Sequence, residues 1–205
     1  MNVWQPGAGE LGKEDPVKVC EILNRLSIRP SAMASGIVLT NPSTYEECVA
    51  RWKQHIQLAR SINAPIMFTR SFPVPDGVTE EDAWTNCIKL CRDFTLMCAD
   101  AGLIFAFETD HGRNLVRTLA DTLRLLEEVN LEAMKINYDP ANFYVGGNSP
   151  QEVLDALYDR VVHGHIKDAV CPEGEPAREV QVGQGDLDYV EILSDLEKRN
   201  YQGAM

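Results

Sequence analysis

Short apolar runs alternate with amphipathic stretches along nearly the whole chain. Asn2-Val-Trp4 reads as the tail of a strand already under way, and residues 5–12, rich in glycine, read as a loop. Asp15-Pro16 opens a helix to about residue 26, with proline at its first position. Residues 29–35 form a second strand. Asn41-Pro-Ser-Thr introduces an amphipathic helix to about residue 62, with Glu46 and Glu47 in its first turn. Residues 65–70 are a third strand. Thr79-Glu-Glu-Asp caps a helix running to Asp100 and stopped by Gly102. A buried strand over 103–107 then ends in Glu108, and its period of two puts Glu108 on the face of Ile104 and Ala106. A helix over about 114–129 leads to a strand ending at Asp139. Ser149-Pro150 starts a helix to about residue 158, and the next strand ends at His165. A last helix covers about 187–199, and residues 201–205 approach another strand.

This pattern holds six strands alternating with helices and no strand–strand hairpin, so the sheet is parallel and the class α/β. An open doubly wound sheet would carry a glycine-rich nucleotide loop after its first strand. Gly7-Ala-Gly9 lacks the third glycine and a complete strand before it. A (β/α) barrel instead builds its site from the C-terminal ends of several strands, which is how Glu108, Asp139 and His165 are distributed. The barrel is the expectation. With about six of its eight strands, it reads as one domain over 1–205, clipped at both ends, with the first strand–helix unit and the last strand missing. Two unpaired edges, near Val3 and near His163, would then invite pairing with a second copy.

Composition narrows the class. The chain has 205 residues, 44% of them hydrophobic, without a run of about 18 apolar residues that would span a membrane. The N-terminus lacks the basic-then-apolar pattern of a signal peptide. The six cysteines are scattered. Cys87 and Cys91 stand at helical i, i+4 spacing, which marks a core face rather than half of a zinc site. Reduced thiols place the protein in the cytoplasm. A net charge of −12 argues against a nucleic-acid surface.

Three strand ends, one helix apart, thus offer Glu108, Asp139 and His165. That set suits a divalent metal with mixed oxygen and nitrogen ligands, Mn²⁺, Mg²⁺ or Co²⁺ ahead of Zn²⁺, because oxygens outnumber nitrogen and no thiolate takes part. Each residue also has a plainer role. Glu108 could pair with Arg113 or Arg70, Asp139 could initiate a turn before Pro140, and His165 could be a satisfied core histidine. Three ligand-type residues at three successive strand ends make coincidence the poorer account. His163, one layer deeper, would orient ligands or simply pack. Lys167 faces the mouth and would bind a phosphate, polarise a carbonyl, or pair with Asp168. Gly183-Gln-Gly185 would bring its backbone close to a ligand or form a turn.

Four segments in order carry a resemblance. They are Phe107-Glu-Thr-Asp-His-Gly-Arg-Asn114, Asn137-Tyr-Asp-Pro-Ala-Asn-Phe143, His163-Gly-His-Ile-Lys-Asp168 and Val182-Gly-Gln-Gly-Asp-Leu-Asp-Tyr189. They resemble the sugar phosphate isomerase/epimerase superfamily, the xylose-isomerase-like TIM barrels. The resemblance implies a divalent metal on Glu108, Asp139, His165 and a final Glu, expected a few residues beyond Gly203, where this chain stops. It further implies substrate contacts from His111, Asn142 and Lys167, and support behind the ligands from His163 and Asp168. One departure is His111, three residues after Glu108, where many relatives place a histidine two residues after. The implied activity is metal-dependent isomerisation or epimerisation of a sugar or sugar phosphate. The metal would stabilise an enediolate, and Glu108 would be one of two carboxylates moving the proton. A dehydratase or hydroxypyruvate-type isomerase of the same fold is a second reading. An endonuclease-like phosphodiesterase would need more than the four histidines present and a basic surface. A non-catalytic sugar- or metal-binding barrel, or an inactive remnant, is the reading from another class.

Overall fold

The computed structural model describes residues 2–205. In chain order its elements are β1 (Asn2–Trp4), α1 (Ala8–Leu11), α2 (Pro16–Leu26), β2 (Ile28–Pro30), β3 (Met33–Ala34), α3 (Tyr45–Ser61), β4 (Ile66–Arg70), α4 (Glu80–Asp100) and β5 (Ile104–Glu108). There follow α5 (Leu119–Val129), β6 (Lys135–Tyr138), α6 (Pro140–Val145), α7 (Pro150–Leu157), β7 (Val161–Gly164), β8 (Asp168–Val170), β9 (Arg178–Val180) and α8 (Tyr189–Lys198).

The strands β3-β4-β5-β6-β7 form one parallel sheet in that order. β1 and β2 pair in parallel beside it. Backbone bonds from Ser31 N to Trp4 O and from Ala34 N to Pro6 O stitch the two together, so β2 and β3 are one strand interrupted near Ser31. The result is a curved run of six parallel stretches, as the alternation of the sequence requires. At the far edge, Gly164 N donates to Ala204 O.

The two faces of the run differ. Phe105 and Phe107 turn outward into a large apolar cluster that draws residues from Ala8 to Leu196. Trp52 of α3 stacks on Phe94 of α4 with ring centres 4.0 Å apart, and Phe105 meets Trp52 edge-on. Inside the curve, a separate small cluster holds Ala32, Ile66, Phe68 and Ala106. Cys87, Cys91 and Cys98 are buried along the inner face of α4, which is the core role of that spacing.

Several local expectations need correction. β8 and β9 form an antiparallel hairpin, with Asp168 opposite Val180, where no hairpin was expected. The loop before α2 contains the short α1. Asp139-Pro140 starts α6 rather than ending in a turn: Asp139 Oδ1 accepts from the N–H groups of Ala141 and Asn142, and Pro140 takes the first helical position. α5 begins at Leu119, not near Asn114, because Thr118 and Asp121 close a capping box there. The residues before it run along β4's outgoing loop, with Leu115 N bonded to Phe72 O and Val116 N to Ser71 Oγ. Ile104, at the start of β5, is 37% exposed, so that strand is not covered on both faces throughout. Among the described residues, no helix is long and apolar enough to cross a membrane.

Candidate metal centre at the strand ends

Glu108 is the last residue of β5, Asp139 the first residue after β6, and His165 follows β7. Parallel register puts these three ends side by side. Glu108 lies opposite Asn137, two residues short of Asp139, and His165 N is bonded to Tyr138 O. One donor atom from each of the three side chains lies within 4.8 Å of the others. His165 Nδ1 is 2.9 Å from Glu108 Oε1 and 3.7 Å from Asp139 Oδ2. Both carboxylates are buried, at 7% and 1% exposure.

Burial opposes a charge on His165, but the hydrogen bonds and negative charges of Asp139 and Glu108 outweigh it and push the imidazole up to about 9. Both ring nitrogens then carry protons, Nδ1 donating to Glu108 and Nε2 donating to Gln5 Oε1 at 2.9 Å. Asp139 divides its oxygens. Oδ1 caps α6, which leaves Oδ2 pointing at His165 and at Lys167 Nζ, 3.4 Å away. Two buried carboxylates converge on one imidazole, Glu108 through a hydrogen bond and Asp139 through its charge at 3.7 Å, and make a donor set that a divalent cation fits, the cation replacing the positive charge of the ring.

Around this triad the other expected residues take specific places. His163 makes no hydrogen bond to it and meets His165 edge-on, ring centres 5.7 Å apart. Its Nδ1 donates to Asn137 Oδ1 at 2.9 Å and its Nε2 accepts from Ser31 Oγ at 3.1 Å, a neutral arrangement that matches an imidazole pushed down to about 4, first by burial and then by the charge of His165. Asn137 Nδ2 lies over the ring edge of His165, 3.4–3.5 Å from both nitrogens, whose protons go to Glu108 and Gln5. Asp168 was expected behind the ligands and is not there. Its carboxylate accepts from the N–H groups of Ala169, Gly183, Gly185 and Leu187, fastening the 183–187 loop to β8. The ligand that Gly183-Gln-Gly185 approaches is therefore Asp168 itself. A Cβ on Gly185 would stand 1.9 Å from Asp168 Oδ1. Lys167 does not pair with Asp168 either. It donates to Asn142 Oδ1 at 2.6 Å and pairs with Asp139 and with Glu179 of β9 at 3.2 Å. Asn142 is fully buried and spends its amide nitrogen on Thr109 O, so it holds Lys167 rather than facing the cleft. His111 lies 3.5 Å from Glu179 Oε1. Glu108 pairs with neither Arg70 nor Arg113. Arg70 is taken by Asp110 at 2.9 Å.

A cleft of about 640 Å³ opens over the triad, lined among others by Gln5, Phe68, Arg70, His163, Lys167 and Met205. Phe68 forms its apolar floor, edge-on to His165 with ring centres 5.4 Å apart. Sequence reasoning missed Gln5, Asn137, Phe68 and Glu179. Asn137 was within reach, since it shares a face with Asp139 two residues on. Glu179 had no local signal.

The model of the xylose isomerase-like TIM barrel family matches residues 8–205. An inosose dehydratase of Clostridium perfringens is 21% identical over 226 residues, covering 96% of this chain and 75% of that protein. The structure of a D-tagatose 3-epimerase-like protein superposes with a TM-score of 0.84 at 15% identity, over 100% of this chain and 80% of that one. A zinc-bound IOLI protein superposes with a TM-score of 0.81 at 15% identity, over 99% of this chain and 77% of that one.

Proposed function

This chain belongs to the xylose isomerase-like TIM barrel family, and on that footing we propose that it is an enzyme of sugars or related polyhydroxylated ketones that moves a proton at the carbon beside a carbonyl. The observation that carries the reading is the convergence of Glu108, Asp139 and His165 within 4.8 Å at the floor of the cleft. These three residues would hold a divalent metal. When bound, the ion supplies Lewis-acid polarisation of the substrate carbonyl and a counter-charge for the oxygen as it becomes negative.

The chain's own groups have separable roles. Glu108 takes the proton from the carbon beside the carbonyl, its neighbour Phe68 keeping that wall of the cleft apolar. Lys167 donates a hydrogen bond to a substrate oxygen next to the reacting carbon. Its position is held from two sides. Asn142 Oδ1 accepts from its Nζ, and Tyr189 Oη accepts from its backbone N–H at 2.8 Å. Glu108 Oε1 and Gln5 Oε1 accept from the two nitrogens of His165, and His163 packs edge-on against it, so the ring is kept from turning out of the cleft.

Return of the proton to the same or the neighbouring carbon makes the reaction an epimerisation or isomerisation. Departure of a neighbouring hydroxyl instead, assisted by a proton from Lys167, makes it a dehydration. The similarity to inosose dehydratases favours that second course. The test is incubation with Mn²⁺ in D₂O against a panel of ketoses and cyclic polyhydroxy ketones, followed by proton NMR. The expected result is metal-dependent exchange of the proton beside the carbonyl, abolished in Glu108→Gln. A deuterated isomer identifies isomerisation or epimerisation, and an unsaturated product identifies dehydration. Metal binding without exchange on any member of the panel would overturn the catalytic reading and leave a binding protein.

A further inference from the structure

The mouth of the cleft carries a second set of charges that the triad does not need. Glu179 sits on β9, the return strand of the hairpin, and meets Lys167 at the edge of the cleft. Its Oε1 is 3.2 Å from Lys167 Nζ and 3.5 Å from His111 Nε2. Lys167 and Arg70 are the two basic side chains lining the cleft, and Arg70 is already matched by Asp110 at 2.9 Å. Glu179 completes the matching. Of the two carboxylates beside Lys167 Nζ, Glu179 at 3.2 Å is the nearer, and Asp139 at 3.4 Å is shared with His165.

We propose that Glu179 is a specificity-determining residue: its carboxylate fills the anion position that Lys167 and His111 would otherwise offer, and so restricts the cleft to uncharged polyhydroxylated substrates. A sugar phosphate brings a charge of about −1.5 to −2 at neutral pH. Set against Lys167, it would stand beside Glu179 as well, and like charges brought together at a recognition site discriminate against that ligand. An uncharged hydroxyl meets no such opposition and can share Lys167 with Glu179, because the ammonium has three donors. The location of Glu179 on a hairpin, rather than on a barrel strand, makes this preference separable from the chemistry below it. The inference rests on the proposed reaction of sugar-like substrates and adds which of them the mouth accepts.

The test is titration of inorganic phosphate into the full chain without metal, by calorimetry and by NMR of the histidine side chains. Glu179→Gln should bind phosphate at least about tenfold more tightly than the unaltered chain, and Glu179→Ala should do the same. Adding Lys167→Met to Glu179→Gln should abolish the gain. Equal phosphate affinity with and without Glu179 would overturn the proposal, as would a gain that survives Lys167→Met. So would tight phosphate binding by the unaltered chain, which would mean that Glu179 swings aside. Neither metal nor turnover enters this measurement, so its failure leaves the proton-transfer reading standing, and a failure of that reading leaves this result interpretable.

Discussion

Two histidines in this molecule are pushed in opposite directions, and the groups that face them explain why. His55 lies in the outer helical layer, its Nδ1 2.8 Å from Ser35 Oγ. Burial first, and then the charge of Arg51, push it down to about 4. His165 lies inside the curve of the sheet, where two carboxylates overcome a similar burial and push it up to about 9. The outer face is a layer of large apolar side chains packed against helices, where a charge has no partner. The inner face sets small residues, Ala32, Ala34 and Ala106, beside Ile66 and Phe68, and a cleft opens where the charged strand ends converge. Side chains one residue apart on β5, Phe107 and Glu108, belong to these two worlds. The outer face holds the packed apolar core and the inner face holds the converging charges.

Changes to one face should therefore leave the other's property alone. The largest effect is expected from Phe94→Ala, which removes the partner of Trp52 in a fully buried stack. It should cost about 3–5 kcal/mol of stability in urea unfolding, while metal affinity of the folded fraction changes less than about threefold. A comparable loss of metal affinity would mean that the two faces are coupled.

Next in size is Glu108→Gln. It should weaken Mn²⁺ binding by about a hundredfold or more, a loss of about 2.7 kcal/mol in calorimetry. Unfolding stability without metal should shift by less than about 1 kcal/mol, since the amide can still accept from His165. A large stability loss with unchanged metal affinity would reverse the roles assigned here.

The smallest effect sharpens the comparison through pH. The folded pKa of His55, about 4, is below its ordinary 6.5. Between these values the unfolded chain binds the extra proton, so stability present above pH 6.5 is lost as the pH falls toward 4. In His55→Gln the difference in unfolding free energy between pH 6.5 and pH 4 should be smaller than in the unaltered chain. Parallel pH profiles would show that His55 is not held neutral by its surroundings.

The alternation of apolar runs and amphipathic stretches was enough to read the parallel α/β class, which follows from local periodicity and the handedness of crossovers, and the spread of Glu108, Asp139 and His165 over three strand ends pointed to the barrel. The three strand-end residues were legible for the same reason: an apolar run that stops at an acid or a histidine puts that side chain at the mouth. Capping residues marked α2, α4 and α7 correctly. The same chemistry misled at Asp139-Pro140, where a helix start and a turn share one dipeptide, and before α5, where tertiary bonds to Ser71 and Phe72 hold the chain extended.

What the sequence by itself determined is which residues lie at strand ends and which face each strand shows, since both depend on a period of two and on where a run of apolar residues stops. Only the tertiary structure decided who meets whom. Gln5 and His165 are 160 positions apart and touch because the sheet curves. Asp168 turned away to bind its own loop, and Glu179 came to Lys167 on an unforeseen hairpin. Contacts of that kind depend on strand register and curvature, which are set by packing over the whole sheet and leave no mark on the residues near them in the chain.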